Sequence, residues 1–185
     1  MAPPDTRPTA VEPDTKDWTW VLREPCGECG LDAGAVDVRD VPRLVRENAT
    51  GWRAVLTRED AAERPAPGVW SPLEYACHVR DVFRLFDKRL RLMLDEDDPL
   101  FDNWDQDATA VEQRYDLSSP VVVLGELTGA AEWVAADFEA VPDDAWQRTG
   151  RRSDGAVFTV EAFARYFVHD PVHHLHDVTA GAGRA

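Results

Sequence analysis

Histidines are the residues of this chain that are best placed to do chemistry. One is His78, and the other four lie close together near the C-terminus, at His169, His173, His174 and His176. His169 and His173 are four residues apart, so on a helix their imidazoles lie on one face and could bind the same ion. A histidine from a facing helix, for which His78 is the candidate, would complete a three-histidine site. Such a site keeps one coordination position open, as catalytic zinc sites do.

The same histidines have another interpretation. Near a helix C-terminus they can be solvated or capping groups, because the helix dipole favours positive charge there. On a helical wheel, His169 and His173 lie far from the apolar stripe that contains Phe167, whereas His174 lies nearer to it. Pro171 lies between these positions, removes a backbone donor and favours a kink.

A second set of metal-binding residue types lies near the N-terminus. Cys26 and Cys29, followed by Gly30, have the C-x-x-C-G form of a zinc knuckle, in which the glycine lets backbone amides turn toward the sulfurs. A knuckle supplies only two of four ligands. Candidates for the others are Cys77, His174, His176 and acidic side chains. A redox dithiol is one alternative, although the strand and helix that usually frame it are missing, and a simple structural loop is another.

Four amphipathic helices are predicted to position these groups. Apolar residues recur at three- and four-residue intervals over residues 38 to 63, 72 to 95, 120 to 141 and 159 to 181. Residues 143 to 155 predict a hairpin-like turn, and no segment shows convincing strand alternation. The pattern predicts an all-α fold, a four-helix bundle with a Cys-containing N-terminal extension.

Aromatic residues are assigned to the core or to a pocket by their setting. Those at core spacing in the predicted helices are Trp52, Phe83, Phe86, Trp133 and Phe167. Phe101 and Trp104 lie in an acidic loop, and they are candidates for the mouth of a pocket. Arg148, Arg151 and Arg152 are candidates for binding a carboxylate, with an exposed charge cluster as the alternative.

Two segments resemble motifs of the DinB-like superfamily. Residues Trp70 to Asp81 carry a Trp, a small polar residue and an H-V-x-D sequence that begins at His78, as the second helix of that superfamily does. Residues Tyr166 to Asp177 resemble the H-x-x-x-H-H motif of its last helix. The resemblance covers about residues 38 to 180 and implies a four-helix bundle with a divalent metal near one end.

By matching position, the resemblance implies that His78, His169 and His173 are the metal ligands. For a three-imidazole site, zinc is the first expectation, with nickel or iron as alternatives. Characterised enzymes of the superfamily, which is related to the N-terminal domain of mycothiol-dependent maleylpyruvate isomerase, join low-molecular-weight thiols to electrophiles or use the thiol in isomerisation. A thiol-dependent S-transferase or isomerase is therefore implied. The alternative is a non-catalytic metal-binding or stress-associated module.

Glu74 and Asp81 lie one helical turn on either side of His78, so they could orient its ring, or they could be solvated helix charges.

Charge disfavours several classes of partner. The chain has 35 acidic and 20 basic residues, a net charge of −15, which opposes binding to nucleic acid or to an anionic membrane surface. We expect a cytoplasmic protein whose partners are a small-molecule thiol and an electrophile, with a homodimer as an open alternative. Lys16 and Lys88 are the only lysines. The strong preference for Arg fits an actinobacterial-type genome and favours mycothiol as the cosubstrate.

The chain is expected to divide into three segments. Residues 1 to 15 are rich in Pro and predict a flexible tail. Residues 16 to 37 form the N-terminal extension with Cys26 and Cys29, and residues 38 to 181 form the DinB-like domain.

Overall fold

The computed structural model describes Val11 and residues 17 to 180. The tail predicted over residues 1 to 15 lies, apart from Val11, outside the described residues. The α-helices are α1 (Val41–Leu56), α2 (Pro72–Asp95), α3 (Gln106–Glu112), α4 (Pro120–Glu139) and α5 (Val160–Ala180). The strands are β1 (Leu100–Phe101), β2 (Thr149–Arg152) and β3 (Val157–Thr159). Short 3-10 helices span Trp18–Leu22, Ala33–Ala35, Val38–Asp40 and Tyr115–Leu117.

The start of α2 follows from its sequence. Ser71 accepts a hydrogen bond from the backbone N–H of Glu74 at 3.2 Å, and the Glu74 carboxylate accepts one from the backbone N–H of Ser71 at 2.8 Å. This reciprocal cap satisfies donors that a helix start leaves unpaired. Pro72, at the first helical position, supplies the backbone angle that a helix requires.

The four long helices form the predicted bundle. Helices α4 and α5 each pack against both α1 and α2, whereas α1 and α2 contact each other far less extensively. Aromatic rings fill the centre: Phe86 stacks on Phe163 with ring centroids 4.7 Å apart, and on Phe167 at 4.8 Å. The mostly helical four-helix bundle expected from the periodicity is confirmed.

The N-terminal extension lies along α5. Its two 3-10 helices, Trp18–Leu22 and Ala33–Ala35, both contact α5, and the Arg165 guanidinium Nε donates to the carbonyl oxygen of Val36 at 3.0 Å. Val21, Cys26 and Ala33 are buried in this contact region. The extension is therefore packed on the last helix of the bundle.

Three details differ from the expectations. A small sheet forms, in which β1 pairs in parallel with β2. Strands β2 and β3 pair in antiparallel orientation, and the turn between them is the predicted hairpin-like turn. Trp133 is 67% exposed and does not belong to the core, because Leu127, Ala131 and Val134 occupy the inward face of α4. Helix α1 ends at Leu56, earlier than the predicted residue 63, and is followed by turns.

Among residues 17 to 180, no helix combines the length and apolar character needed to cross a bilayer.

Candidate metal centres

Helix α5 carries two overlapping pairs of metal-binding residue types. His169 and His173 form one pair with four-residue spacing, and Asp170 and His174 form the other. Successive residues of an α-helix point about 100° apart, so the two pairs face different neighbours. The structure therefore does not bring the expected ligands His78, His169 and His173 into one group, and His78 lies with the other pair.

The first group consists of His78 from α2 with Asp170 and His174 from α5. One ligand atom from each lies within 4.8 Å of the others. The Asp170 Oδ1 atom lies 3.4 Å from Nε2 of His78 and 3.9 Å from Nε2 of His174. His78 is 1% exposed. Neither of its ring nitrogens, nor Asp170 Oδ1, has a hydrogen-bond partner within the described part of the chain.

Asp170 and His174 were missed as a ligand pair by the sequence analysis. The signal was present, because they continue the apolar stripe of α5 through Phe163 and Phe167, which faces α2. Burial raises the pKa of Asp170, but the neighbouring His78 and His174 outweigh it and lower that pKa to about 2. Asp170 is therefore a carboxylate at neutral pH, as a metal ligand must be.

This first group lies beside a cavity of about 430 Å³. Asp170 and His174 line the cavity, while His78 lies beneath Trp104, whose ring stacks on it with centroids 5.3 Å apart and planes 11° apart. Trp104 thus lies in the pocket wall, as expected from its loop. Phe101 is instead buried and does not line the cavity.

Two arginines line the same cavity, Arg89 from α2 and Arg152 from β2. Arg152 pairs with Asp154, but Arg89 forms no ion pair with any described residue. Burial, with a further contribution from the nearby Arg152, lowers the pKa of Arg89 to about 10. Arg89 remains a cation at neutral pH, and its head group donates to the carbonyl oxygen of Asp102 at 2.6 Å.

The second group joins the extension to α5. One ligand atom each from Cys26, Cys29, His169 and His173 lies within 4.8 Å of the others. The Cys26 Sγ atom lies 3.6 Å from Nδ1 of His173. The partners proposed for the cysteine pair from sequence, Cys77, His174 and His176, are absent from this group.

Cys26, His169 and His173 of the second group are buried, and Cys29 is partly buried. Burial raises the pKa of the Cys29 thiol to about 11. Burial, followed by the neighbouring His173, lowers the pKa of His169 to about 4, and burial also lowers the pKa of His173. Both imidazoles are therefore neutral at neutral pH, which is the form that ligates metals.

Pro171 does not interrupt α5, which is helical on both sides of it. Proline leaves the carbonyl four residues before it, that of Phe167, without its usual helical donor. Asn48 of α1 supplies a contact nearby, since its Nδ2 atom donates to the Pro171 carbonyl at 2.6 Å and its Oδ1 accepts from Trp52 Nε1 at 3.1 Å. The helix is continuous through both metal-binding pairs, and Asn48 joins its Pro171 turn to α1.

Other candidate residues have structural contacts elsewhere. The Glu74 carboxylate caps α2 and accepts from Arg64 Nε at 2.8 Å, and Asp81 pairs with Arg80. Neither hydrogen-bonds to His78, whose ring nitrogens have no such partner among the described residues. Arg148 donates to the carbonyl oxygens of Met93 and Glu96, and Arg151 pairs with Asp98; of the three arginines considered for carboxylate binding, Arg152 alone lines the cavity.

Comparisons with known proteins agree with this architecture. No curated protein matches the chain significantly. Among solved structures, it is similar to YfiT from Bacillus subtilis, described as a probable metal-dependent hydrolase with an unusual four-helix bundle topology. The TM-score is 0.69 at 17% identity, over 80% of this chain and 89% of that one, so the two share a fold. The family model for the DinB superfamily matches residues 43–178. The chain therefore belongs to the DinB superfamily.

Proposed function

We propose that this protein is a metal-dependent enzyme in which His78, Asp170 and His174 hold a divalent ion beside the cavity. The observation that carries the proposal is that the His78 ring nitrogens and Asp170 Oδ1 are buried without hydrogen-bond partners among the described residues. Each such atom costs about 1–3 kcal/mol when it is left unsatisfied. A shared cation would remove that cost for Asp170 Oδ1 and for one ring nitrogen of His78.

The residue types fit a catalytic metal. Two imidazoles and one carboxylate are a ligand set of catalytic zinc and of non-haem iron, and three protein ligands leave positions for substrate. Zinc is the first candidate, with nickel or iron as alternatives. When bound, the metal supplies Lewis acidity that lowers the pKa of a thiol or water.

The surrounding residues orient the ligands and limit access. The Asp177 Oδ2 atom lies 3.3 Å from Nδ1 of His174, which leaves Nε2 to face Asp170 and the metal. A carboxylate behind a histidine ligand holds its ring orientation and tautomer. Trp104 covers His78 from the side of the loop and limits access of water to that ligand.

The substrate is proposed to carry an anionic group. Arg89 is a buried cation with no ion pair in the described part of the chain, and it lines the cavity together with Arg152. A buried charge without an opposite charge beside it is costly, and a carboxylate on the bound ligand would complete an ion pair. The two arginines would hold the ligand while its reacting atom faces Asp170 and His174.

The reaction proposed first is thiol-dependent S-transfer or isomerisation, with a small cytoplasmic thiol such as mycothiol and an electrophile as substrates. Hydrolysis is the second candidate, because two histidines and a carboxylate also form the water-activating zinc sites of metallopeptidases. The non-catalytic alternative is a metal-binding module. It predicts that neither a thiol nor a substrate analogue reaches the ion.

Cobalt binding to metal-free protein tests the proposed ligands. We expect His174→Ala to lose one bound ion per chain relative to the wild type, while His176→Ala, a neighbouring histidine outside both groups, retains it. If His174→Ala binds as much metal as His176→Ala does, the proposed site is wrong.

Activity assays then separate the reactions. Consumption of a thiol together with an aryl halide, lost in His174→Ala, supports S-transfer, and cleavage of an activated ester without thiol supports hydrolysis. Metal binding without either activity, and with a cobalt spectrum that added thiol leaves unchanged, would favour the non-catalytic module over an enzyme.

A further inference from the structure

The N-terminal extension brings a second complete ligand set to α5. We propose that Cys26, Cys29, His169 and His173 bind one zinc ion in a closed structural site that fastens the extension to the last helix. This site uses other ligands than the group around His78, although His169 and His173 also line the cavity, and it does not depend on the proposed enzymatic function.

The spacing of the ligand atoms suits a tetrahedral ion. With Zn–S near 2.3 Å and Zn–N near 2.0 Å, tetrahedral geometry separates ligand atoms by roughly 3.3 to 3.8 Å. Cys26 Sγ and His173 Nδ1 are 3.6 Å apart, and all four ligand atoms fall within 4.8 Å of one another. Small side-chain movements would close the set around zinc.

The burial and chemistry of the four residues also point to an ion. Cys26, His169 and His173 are 3%, 4% and 7% exposed. His169 Nε2 is buried and has no hydrogen-bond partner among the described residues. Two thiolates neutralise the double charge of zinc, so the occupied site has no net charge, and four protein ligands leave no position for substrate.

The residues around the ligands support this assignment. Gly30 adopts a φ of +76°, which lets its backbone N–H turn back to the Cys26 carbonyl at 2.9 Å. The carboxylates of Glu28 and Asp177 lie 3.3 Å and 3.5 Å from His173 Nε2, the nitrogen opposite the one that faces Cys26. Histidine ligands of metals usually donate their second nitrogen to such a partner.

The proposed zinc site would also shape the cavity. The Trp18 ring packs on His169 and His173, with centroids 5.5 Å and 5.2 Å apart, and it lines the cavity. Zinc would thus hold both the histidines and the segment that carries Trp18. The closed site would in this way position one wall of the pocket.

Metal content and cobalt spectra of the full chain test the proposal. We expect Cys26→Ser and Cys29→Ser each to lose one ion per chain and the thiolate-to-cobalt absorption. The control, Cys77→Ala, changes a buried cysteine outside the group and should keep both. In His78→Ala, the thiolate absorption should persist while the other ion is lost, so failure of the cavity site is distinguishable from failure of this one.

Two results would overturn the proposal. One is unchanged metal content and thiolate absorption in Cys26→Ser. The other is purified wild type in which Cys26 and Cys29 form a disulfide and bind no cobalt after reduction under anaerobic conditions, which would make the pair a redox dithiol. Retention of the cavity ion and of the helical circular dichroism signal shows that the cysteine variants are folded.

Limited proteolysis provides a second readout. Arg23 is exposed on the extension between Trp18 and Cys26. We expect trypsin to cleave there at least severalfold faster in Cys26→Ser than in zinc-loaded wild type, because local opening controls access to a cleavage site. Equal cleavage rates would show that no ion fastens the extension.

Discussion

The Cys26 sulfur lies 3.6 Å from Nδ1 of His173, although 147 residues separate the two in the sequence. This contact joins the N-terminal extension to α5. His169 and His173 lie with the cysteines of the extension and not with His78 of α2. Asp170 and His174 face His78 in their place. One helix thus presents adjacent residues to two candidate metal sites with different chemistry, one closed by cysteines and one beside a cavity.

Asp177 connects the two sites. Its Oδ2 atom lies 3.5 Å from Nε2 of His173 and 3.3 Å from Nδ1 of His174. We expect Asp177→Asn to weaken metal binding at both sites by about 10–100-fold, because loss of a partner behind a histidine ligand has effects of this size. Competition with a chromophoric chelator measures both affinities. Glu28→Gln is the matched control, since the Glu28 carboxylate lies 3.3 Å from Nε2 of His173, and it should weaken only the cysteine site. Unchanged affinities in Asp177→Asn would contradict the shared role.

Arg89 should bind the anionic part of a ligand. We expect Arg89→Met to lower the affinity for a dicarboxylate such as succinate by about 10–100-fold, since a hydrogen bond to a charged group contributes about 1.5–3 kcal/mol. Quenching of tryptophan fluorescence during titration measures the binding, because Trp104 lines the cavity. Arg91→Met is the control, because Arg91 lies on the same helix but pairs with Asp137 outside the cavity. Equal affinities of the two variants would remove Arg89 from the proposed subsite.

Asn48 should stabilise the bundle at the proline of α5. We expect Asn48→Ala to lower the free energy of unfolding by about 2 kcal/mol, because the buried Trp52 indole N–H loses its acceptor and the Pro171 carbonyl loses a side-chain donor. Urea unfolding at a fixed metal concentration gives the value. Thr50→Ala, an exposed change on the same helix, should alter it by less than about 0.5 kcal/mol. A loss no larger in Asn48→Ala than in Thr50→Ala would show that α5 needs no such support.

Stability should depend on pH through Asp87 of α2. Burial raises the pKa of Asp87 from 3.8 to about 6, and the facing carboxyl of Asp137 on α4 contributes in the same direction. Arg91 lies beside both carboxyls and opposes this rise only in part. A raised pKa means that the folded state holds the proton more tightly than the unfolded chain does. The stabilisation is therefore complete below pH 3.8 and is lost as the pH rises through about 6.

Asp87→Asn tests this dependence. It should flatten the fall in stability between about pH 4 and pH 7 and raise the free energy of unfolding at pH 7 by about 1 kcal/mol, a value reduced because solvent screens this partly exposed pair. Urea unfolding at several pH values measures both effects. The same fall with pH in wild type and variant would exclude Asp87 as its origin.

Much of the fold could be predicted from the sequence, because it depends on local features. Apolar periodicity identified the four long helices, and the Ser71–Glu74 cap marked the start of α2. Features that depend on distant segments were not accessible in this way. The pairing of β1 with β2 joins residues about fifty positions apart, and the exposure of Trp133 depends on how α4 is rotated against its neighbours.

The residue types of the candidate site were likewise readable from the chain. His78, the C-terminal histidines and the cysteine pair all lie in the two groups, apart from His176. Their partition was decided by the tertiary structure. Four-residue spacing describes the pair His169 and His173 as well as the pair Asp170 and His174. Only the packing of α5 between α2 and the N-terminal extension sets its rotation, and that rotation determines which pair meets His78 and which meets the cysteines.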